Sequence, residues 1–346
     1  MEIGRSDRPG VGPGGDAAIA RFLIGALGAR SVSVRRMDRL GGGAIQENYA
    51  LDLNVSGGPH AGAQSLVLRT DAPSGVAVSH SRAQEFALLK AAHAAGVTVP
   101  EPLALCADKA VIGRPFYVMK RVGGTAAGHI LVRDERWKGD RKALATRLGR
   151  ELAKIHSIRP PRDDLDFLPL PKPAPALAAI IDYRAWLDTY RAKRPALEWG
   201  LRWLERRAPA AGDLVLSHRD FRTGNYMVDE QGLTGILDWE FAGWGDRHED
   251  IGWFCARCWR FGVNEREAGG TGERTDFIGG YEAQSGQRVD AEQVRYWETM
   301  AHARWATIAL QQGERHVSGA EPSLDLALTG RRVAELEYQL LRMTAP

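Results

Sequence analysis

Apolar and polar residues alternate with a period of two through "SVSVRRM", "AIQENYALDLNV" and "QSLVLRT", between residues 31 and 70. That period predicts strands. The period changes in "HSRAQEFALLKAAHAAG", where Glu85, Leu88, Leu89 and Ala92 fall on one helical face and Gly96 supplies a stop. "RPFYVMKRVGG" predicts one more strand, closing on Gly123 and Gly124. Beyond it the pattern is mostly helical: "RKALATRLGRELAKIHSI", "IIDYRAWLDTYRAKRP", "ALEWGLRWLERRA" and "VRYWETMAHARWATIALQQGERH" are amphipathic. "PPRDDLDFLPLPKPAPA" is too rich in proline for a helix interior. The pattern predicts an α+β chain, with a sheet and one embedded helix over 17–122 and a larger, mainly helical part over 123–346.

Composition narrows the class. With 346 residues, 44% of them hydrophobic, the chain can bury a sizeable core. A net charge of +3 and no long basic run argue against a nucleic-acid partner, and no apolar stretch is long enough for a membrane span. The Gly- and Pro-rich start, "MEIGRSDRPGVGPGGD", lacks the apolar core of a signal peptide and predicts a loose tail over 1–16. Three cysteines, Cys106, Cys255 and Cys258, suggest a reducing, cytoplasmic setting. The Cys255/Cys258 pair sits in "DIGWFCARCWRF", which predicts one buried helix with both thiols packed on a single face.

Chemistry concentrates in "SHRDFRTGNYMVDEQGLTGILDWE", residues 217–240. "NYMV" and "LTGILD" predict a hairpin around "DEQG". With the turn centred between Gln231 and Gly232, Asn225 and Asp238 stand opposite each other and project to one face. An amide oxygen and a carboxylate there suit Mg²⁺, which keeps water and phosphate in its shell. Asp220, in the loop before the hairpin, is a candidate base for a hydroxyl proton, and Arg222 a candidate to neutralise a phosphoryl group. The plainer reading is that Asp220 and Asn225 brace a turn.

His218-Arg219-Asp220-Phe221-x-x-x-Asn225 resembles the catalytic loop of protein kinases, with Asp238-Trp239-Glu240 where those enzymes carry Asp-Phe-Gly. The longer run "HRDFRTGNYMV…GILDWEFAGWGDRHEDIGWF" resembles the aminoglycoside phosphotransferase family, which shares the kinase fold, and the Ala-Pro-Glu segment of protein kinases is missing. The resemblance implies a protein-kinase-like fold of two lobes, with a β-rich N-lobe carrying one key helix. It implies that Asp220 is the base, that Asn225 and Asp238 hold Mg²⁺, and that His218 is a brace. Asp250 is expected to hold the loop backbone and cap a helix.

The resemblance also requires an ATP site in the first lobe. "LGGGAIQEN" offers Gly42 and Gly43 as a phosphate loop, although Gln46 stands where a final glycine would be, and a plain turn is the alternative. Glu85, on an apolar face, needs a buried cation. Arg69 is the best placed, in the position of the phosphate-binding Lys of protein kinases; an ordinary structural bridge is the alternative. Met119, Lys120 and Val122 resemble the hinge that meets adenine, with Met119 as core filler the alternative. The acceptor is expected to be a small hydroxylated metabolite, not an antibiotic. Its wall is mixed, with Glu298 and Glu314 beside Arg304 and Arg315 and with Trp297 and Trp305 as apolar surface, a balance that suits a neutral or anionic acceptor; Trp297 and Arg304 are the named contacts, and core packing of the tryptophans is the alternative. The other readings are an inactive nucleotide-binding regulatory module, a true aminoglycoside kinase, and a metal-dependent hydrolase built on His218, Asp220 and His248.

Overall fold

The computed structural model of the chain describes residues 15–41, 46–72, 79–134, 137–210 and 212–345. The expected tail falls mostly on 1–14, outside the described residues, and the first helix, α1, spans Gly15–Ala26. The chain divides into two units, one of 1–123 with 235–241, the other of 124–234 with 242–346. The segment Gly235–Phe241, which carries Asp238, therefore groups with the first unit and not with the helical one in which sequence order puts it.

The first unit is an antiparallel sheet of five strands: β1 Ser31–Leu40, β2 Gln46–Ser56, β3 Gly62–Asp71, β4 Pro102–Cys106 and β5 Phe116–Lys120. Their order is β1-β2-β3-β5-β4. Register pairs Tyr49 with Leu68, Leu51 with Leu66, and Leu68 with Val118. Paired residues share a face. That face, with Phe116, joins Ile19 and Leu23 of α1 in one core. The other face carries the intervening residues, in the pairs Arg69–Asn48, Arg69–Tyr117 and Val67–Met119. Helix α2, Arg82–Ala94, packs on strands β3, β4 and β5. It opens with a capping box between Ser81 and Gln84, and Gly96, at φ 74°, follows its end. The short helix α3 is Lys109–Ile112.

The second unit holds α4 Gly128–Arg133, α5 Arg141–Ile155, α6 Pro175–Thr189, α7 Pro195–Arg206, β6 Val215–Ser217, β7 Tyr226–Asp229, the start of β8 Gly232–Ile236, β9 Gly243–Gly245, α8 Arg247–Cys255, α9 Arg274–Ser285, α10 Ala291–Val317, α11 Leu324–Arg331 and α12 Val333–Thr344. Its main core gathers Leu197, Leu201, Trp253, Trp297, Met300 and Leu340. Helix α10 runs through the centre and packs on α7, α8, α11 and α12. Contact with α8 is close because Gly252 has no side chain: a Cβ there would lie 2.6 Å from the Trp297 Cβ and 2.8 Å from the Glu298 amide. Among the described residues no helix is long and apolar enough to cross a membrane.

Two local expectations are corrected. Helix α8 ends at Cys255, where Ala256 turns to ψ 139°, and Cys258 belongs to a separate 3₁₀ turn, Arg257–Trp259. Both thiols are buried and free, and burial pushes each up to about 12, so packing explains them without one shared helix face. The hairpin turn is Glu230–Gln231, one residue earlier than the symmetric register of Asn225 and Asp238 requires. Strand β8 stops at Ile236, before Asp238. The side chain of Asp229 fixes this turn by accepting the amides of Gln231 and Gly232 at 2.9 and 3.1 Å.

Candidate active site

In the first unit a guanidinium and three carboxylates meet. Arg69 is 6% exposed, and its Nε lies 3.0 Å from Glu85 Oε1. Its Nη2 is 3.0 Å from Asp238 Oδ1 and donates to Gln46 Oε1 at 2.5 Å. On Nη1 the contact with Asn48 Oδ1 is long, 3.5 Å, so that edge of the fork has donor capacity left. Arg82 bridges Glu85 and Asp71, which gives the buried Glu85 a second cation. Asp238 sits at φ 60°, a strained conformation for a non-glycine residue, with its side chain about one-third exposed. Glu240 is 8% exposed and accepts a hydrogen bond from Gln46 Nε2. Gln46, unexpected in a phosphate loop, thus bridges Arg69 and Glu240. Gly42 and Gly43 lie outside the described residues. Met119 is buried, opposite Val67 and on the sheet face of Arg69. Lys120 is paired with Glu101 at 2.6 Å, and Val122 follows the end of β5, partly buried against Gly235.

In the second unit a loop leaves β6 and is held by its backbone. Asp250 on α8 is fully buried; its two oxygens accept the amides of His218 at 2.6 Å and Arg219 at 2.7 Å. Burial alone would raise the Asp250 carboxyl. The hydrogen bond from His156 and the neighbouring His218 outweigh it and hold the group below its ordinary value. Asp250 therefore ties down the loop as expected, but the cap of α8 is Asp246, whose side chain accepts the His248 amide at 2.7 Å. Arg219 is held at φ 62°, with its side chain directed to the Trp244 carbonyl and Glu249. Phe221 is buried edge-on against Phe254 and anchors the loop. His218 is a brace: its Nδ1 accepts the Asp220 amide at 3.3 Å.

This frame delivers the Asp220 carboxylate to three donors. Its Oδ1 accepts from Arg222 Nε and from Trp253 Nε1, each at 3.1 Å. Its Oδ2 accepts from Asn225 Nδ2 at 2.5 Å. Asn225 Nδ2 also reaches the Asp220 carbonyl, at 3.0 Å, so the amide nitrogen faces the loop and the amide oxygen is turned away from it. Arg222 stacks over Trp259 at 4.6 Å, Trp259 lies 5.0 Å from Trp253, and Arg304 stacks over Trp253 at 4.5 Å. Trp305 closes the group against Trp259 at 4.8 Å. Arg304 also lies 3.7 Å from Glu249, whose carboxyl is pushed up by burial against the pull of Arg219 and Arg304.

The expected acceptor wall is corrected in part. Arg304 and Trp305 belong to the aromatic group around Asp220. Trp297 does not, being 2% exposed and packed in the core at the Gly252 crossing. Glu298 is buried against Arg274 and Arg260. Arg315 pairs with Glu321, about 16 Å along α10 from Arg304 at roughly 1.5 Å per residue. Sequence reasoning missed Trp253, taken as one of the apolar residues of "IGWF". The available signal was its position three residues after Asp250, on the helix face that meets the loop. Among the described residues, no three His, Cys, Asp or Glu side chains form a metal-binding group.

A family model described as "Phosphotransferase enzyme family" matches residues 37–285. The chain belongs to that family, the aminoglycoside phosphotransferase type, and has a protein-kinase-like fold. It is 30% identical over 255 residues to mouse acyl-CoA dehydrogenase family member 10, a match covering 69% of this chain and 22% of that relative. A Ralstonia eutropha structure described as an aminoglycoside phosphotransferase aligns over 94% of this chain and 97% of its own, at a TM-score of 0.72 and 20% identity. Spectinomycin phosphotransferase, solved with ADP and spectinomycin, aligns over 94% and 98% at a TM-score of 0.61 and 12% identity. At such identities the structures show the fold alone.

Proposed function

We propose that the chain transfers the γ-phosphoryl group of ATP, in a Mg²⁺-dependent reaction, to a hydroxyl of a small metabolite. The observation that carries this reading is Asp220, a carboxylate held by Arg222, Trp253 and Asn225 on a loop clamped by Asp250. A carboxylate fixed this way can take the proton of an incoming hydroxyl, while Arg222 beside it offsets negative charge on the group in transit. On the donor side, Arg69 retains N–H capacity for phosphate oxygens, Met119 and Val122 suit the adenine, and Gly42 and Gly43 are the proposed phosphate loop.

The donor atoms fit a hard cation. Asp238 has one oxygen against Arg69, which leaves the other for a metal, and Asn225 offers its amide oxygen. Mg²⁺ takes few protein oxygens and keeps water and phosphate in its shell, which suits a lone carboxylate or amide oxygen of this kind. When bound, Mg²⁺ would neutralise charge on the phosphates.

For the acceptor, Arg222 and Arg304 flank the tryptophans around Asp220, and Glu249 nearby is already shared by Arg219 and Arg304. A polycation would meet repulsion here. A neutral or anionic hydroxy compound would not, and the acyl-CoA dehydrogenase name of the mouse relative favours a carboxylate or acyl thioester on it.

The test is transfer from Mg·ATP to a panel of hydroxylated metabolites and to kanamycin, with and without Asp220→Asn. The substitution should lower transfer by about 10²- to 10⁴-fold. Transfer within about threefold of the parent rate would remove Asp220 as the base. Efficient phosphorylation of kanamycin would replace the metabolite reading with an antibiotic kinase.

A further inference from the structure

Asp220 has about four lone-pair sites as a carboxylate, two on each oxygen. Among the described residues, Oδ1 accepts from Arg222 Nε and Trp253 Nε1, both at 3.1 Å, whereas Oδ2 accepts from Asn225 Nδ2 alone. Both donors to Oδ1 are held in a ladder of stacked groups: Arg222 over Trp259, Trp259 beside Trp253, and Arg304 over Trp253. Trp253 is 2% exposed, so its N–H does not exchange this bond for one to water. A guanidinium over an indole face draws electron density from the ring and strengthens its N–H as a donor.

We infer that Trp253 is a positioning residue for the phosphoryl transfer, fixing Asp220 through Oδ1 so that Oδ2 alone takes the acceptor proton. The inference rests on the proposed function. In the step, the acceptor O–H gives its proton to Asp220 Oδ2, and the hydroxyl oxygen forms the new bond to the γ-phosphorus. The bond from that phosphorus to the β–γ bridging oxygen breaks, and its electron pair leaves on ADP. Arg304 touches neither oxygen of Asp220 in this scheme and acts on the step through Trp253.

The experiment pairs kinetics with a spectroscopic readout. Trp253→Phe keeps a ring in the ladder and deletes the N–H. In the transfer assay, and in phosphate release from Mg·ATP with water as acceptor, its kcat should fall about tenfold or more. The KM for ATP should stay within twofold. In ¹H–¹⁵N spectra of the parent, the Trp253 indole cross-peak should stand downfield and move upfield in Asp220→Asn, a variant that leaves the tryptophan core untouched. A kcat within twofold of an active parent overturns the inference. So does an indole peak that does not respond to Asp220→Asn, whatever Trp253→Phe does to folding. Failure of the proposed function is distinct from both: it is a parent with neither transfer nor phosphate release.

Discussion

Glu240 is a buried acid whose environment fixes a pH dependence. Burial, reinforced by Asp238, pushes its carboxyl up to about 7, while Arg69 and Gln46 pull the other way. Because 7 lies above the ordinary value of 4.5, folding favours the protonated acid. Its contribution to stability is complete below about pH 4.5 and is lost as pH rises through about 7. The full loss is about 3 kcal/mol. Glu240→Gln cannot ionise. In urea melts without metal or nucleotide, its stability relative to the parent should therefore rise by about 3 kcal/mol between pH 4.5 and 8. A gap that stays flat with pH would mean that Glu240 is ionised in the folded protein throughout.

At the scale of elements, the α8–α10 crossing joins the site to the core. Gly252 lets α8 lie against the backbone of Trp297 and Glu298. Helix α8 carries Asp250, which clamps the loop, and Trp253, which reaches Asp220. In Gly252→Ala the new methyl meets backbone atoms that cannot rotate away. The substitution should cost about 1–3 kcal/mol of stability, as overpacking does. It should also slow transfer, although it changes no residue that touches Asp220. Thermal unfolding and kcat test the two effects together. Unchanged stability would show that the helices can part at little cost. The α5–α9 crossing has the same design: a Cβ on Gly149 would meet the Phe277 carbonyl at 2.0 Å, and one on Gly280 the Thr146 carbonyl at 2.1 Å.

For the whole molecule, Asp238 is the proposed cation ligand of the first unit, with one oxygen held by Arg69. Asp238→Ala should uncouple metal from nucleotide. By calorimetry the variant should bind ATP weakly, and equally so with and without Mg²⁺. If Mg²⁺ tightens ATP binding in the variant as in the parent, the cation lies elsewhere. The same substitution leaves Arg69 paired with Glu85, so the first unit should keep most of its stability.

Much of this protein is legible in the chain alone, because its signals are local. Strand alternation divides Leu66 and Leu68 from Val67 and Arg69, and that division separates the core face from the site face. Helical spacing puts Glu85 where it needs a cation, and Arg69 is that cation. The order His218, Asp220, Asn225, Asp238 carries the resemblance to the family whose model matches residues 37–285. Other features depend on what is brought together from distant positions. A pairing register turns on one residue, so the Asp229 hydrogen bonds moved the hairpin turn away from the symmetric position. The capping role passed from Asp250 to Asp246 because the Asp250 oxygens were already taken by loop amides. Composition could not separate Trp253 from Trp297, two buried tryptophans of one core. Only packing decides that one indole N–H meets a carboxylate while the other ring fills a helix crossing, because an indole offers a single donor and the surrounding fold sets where it points.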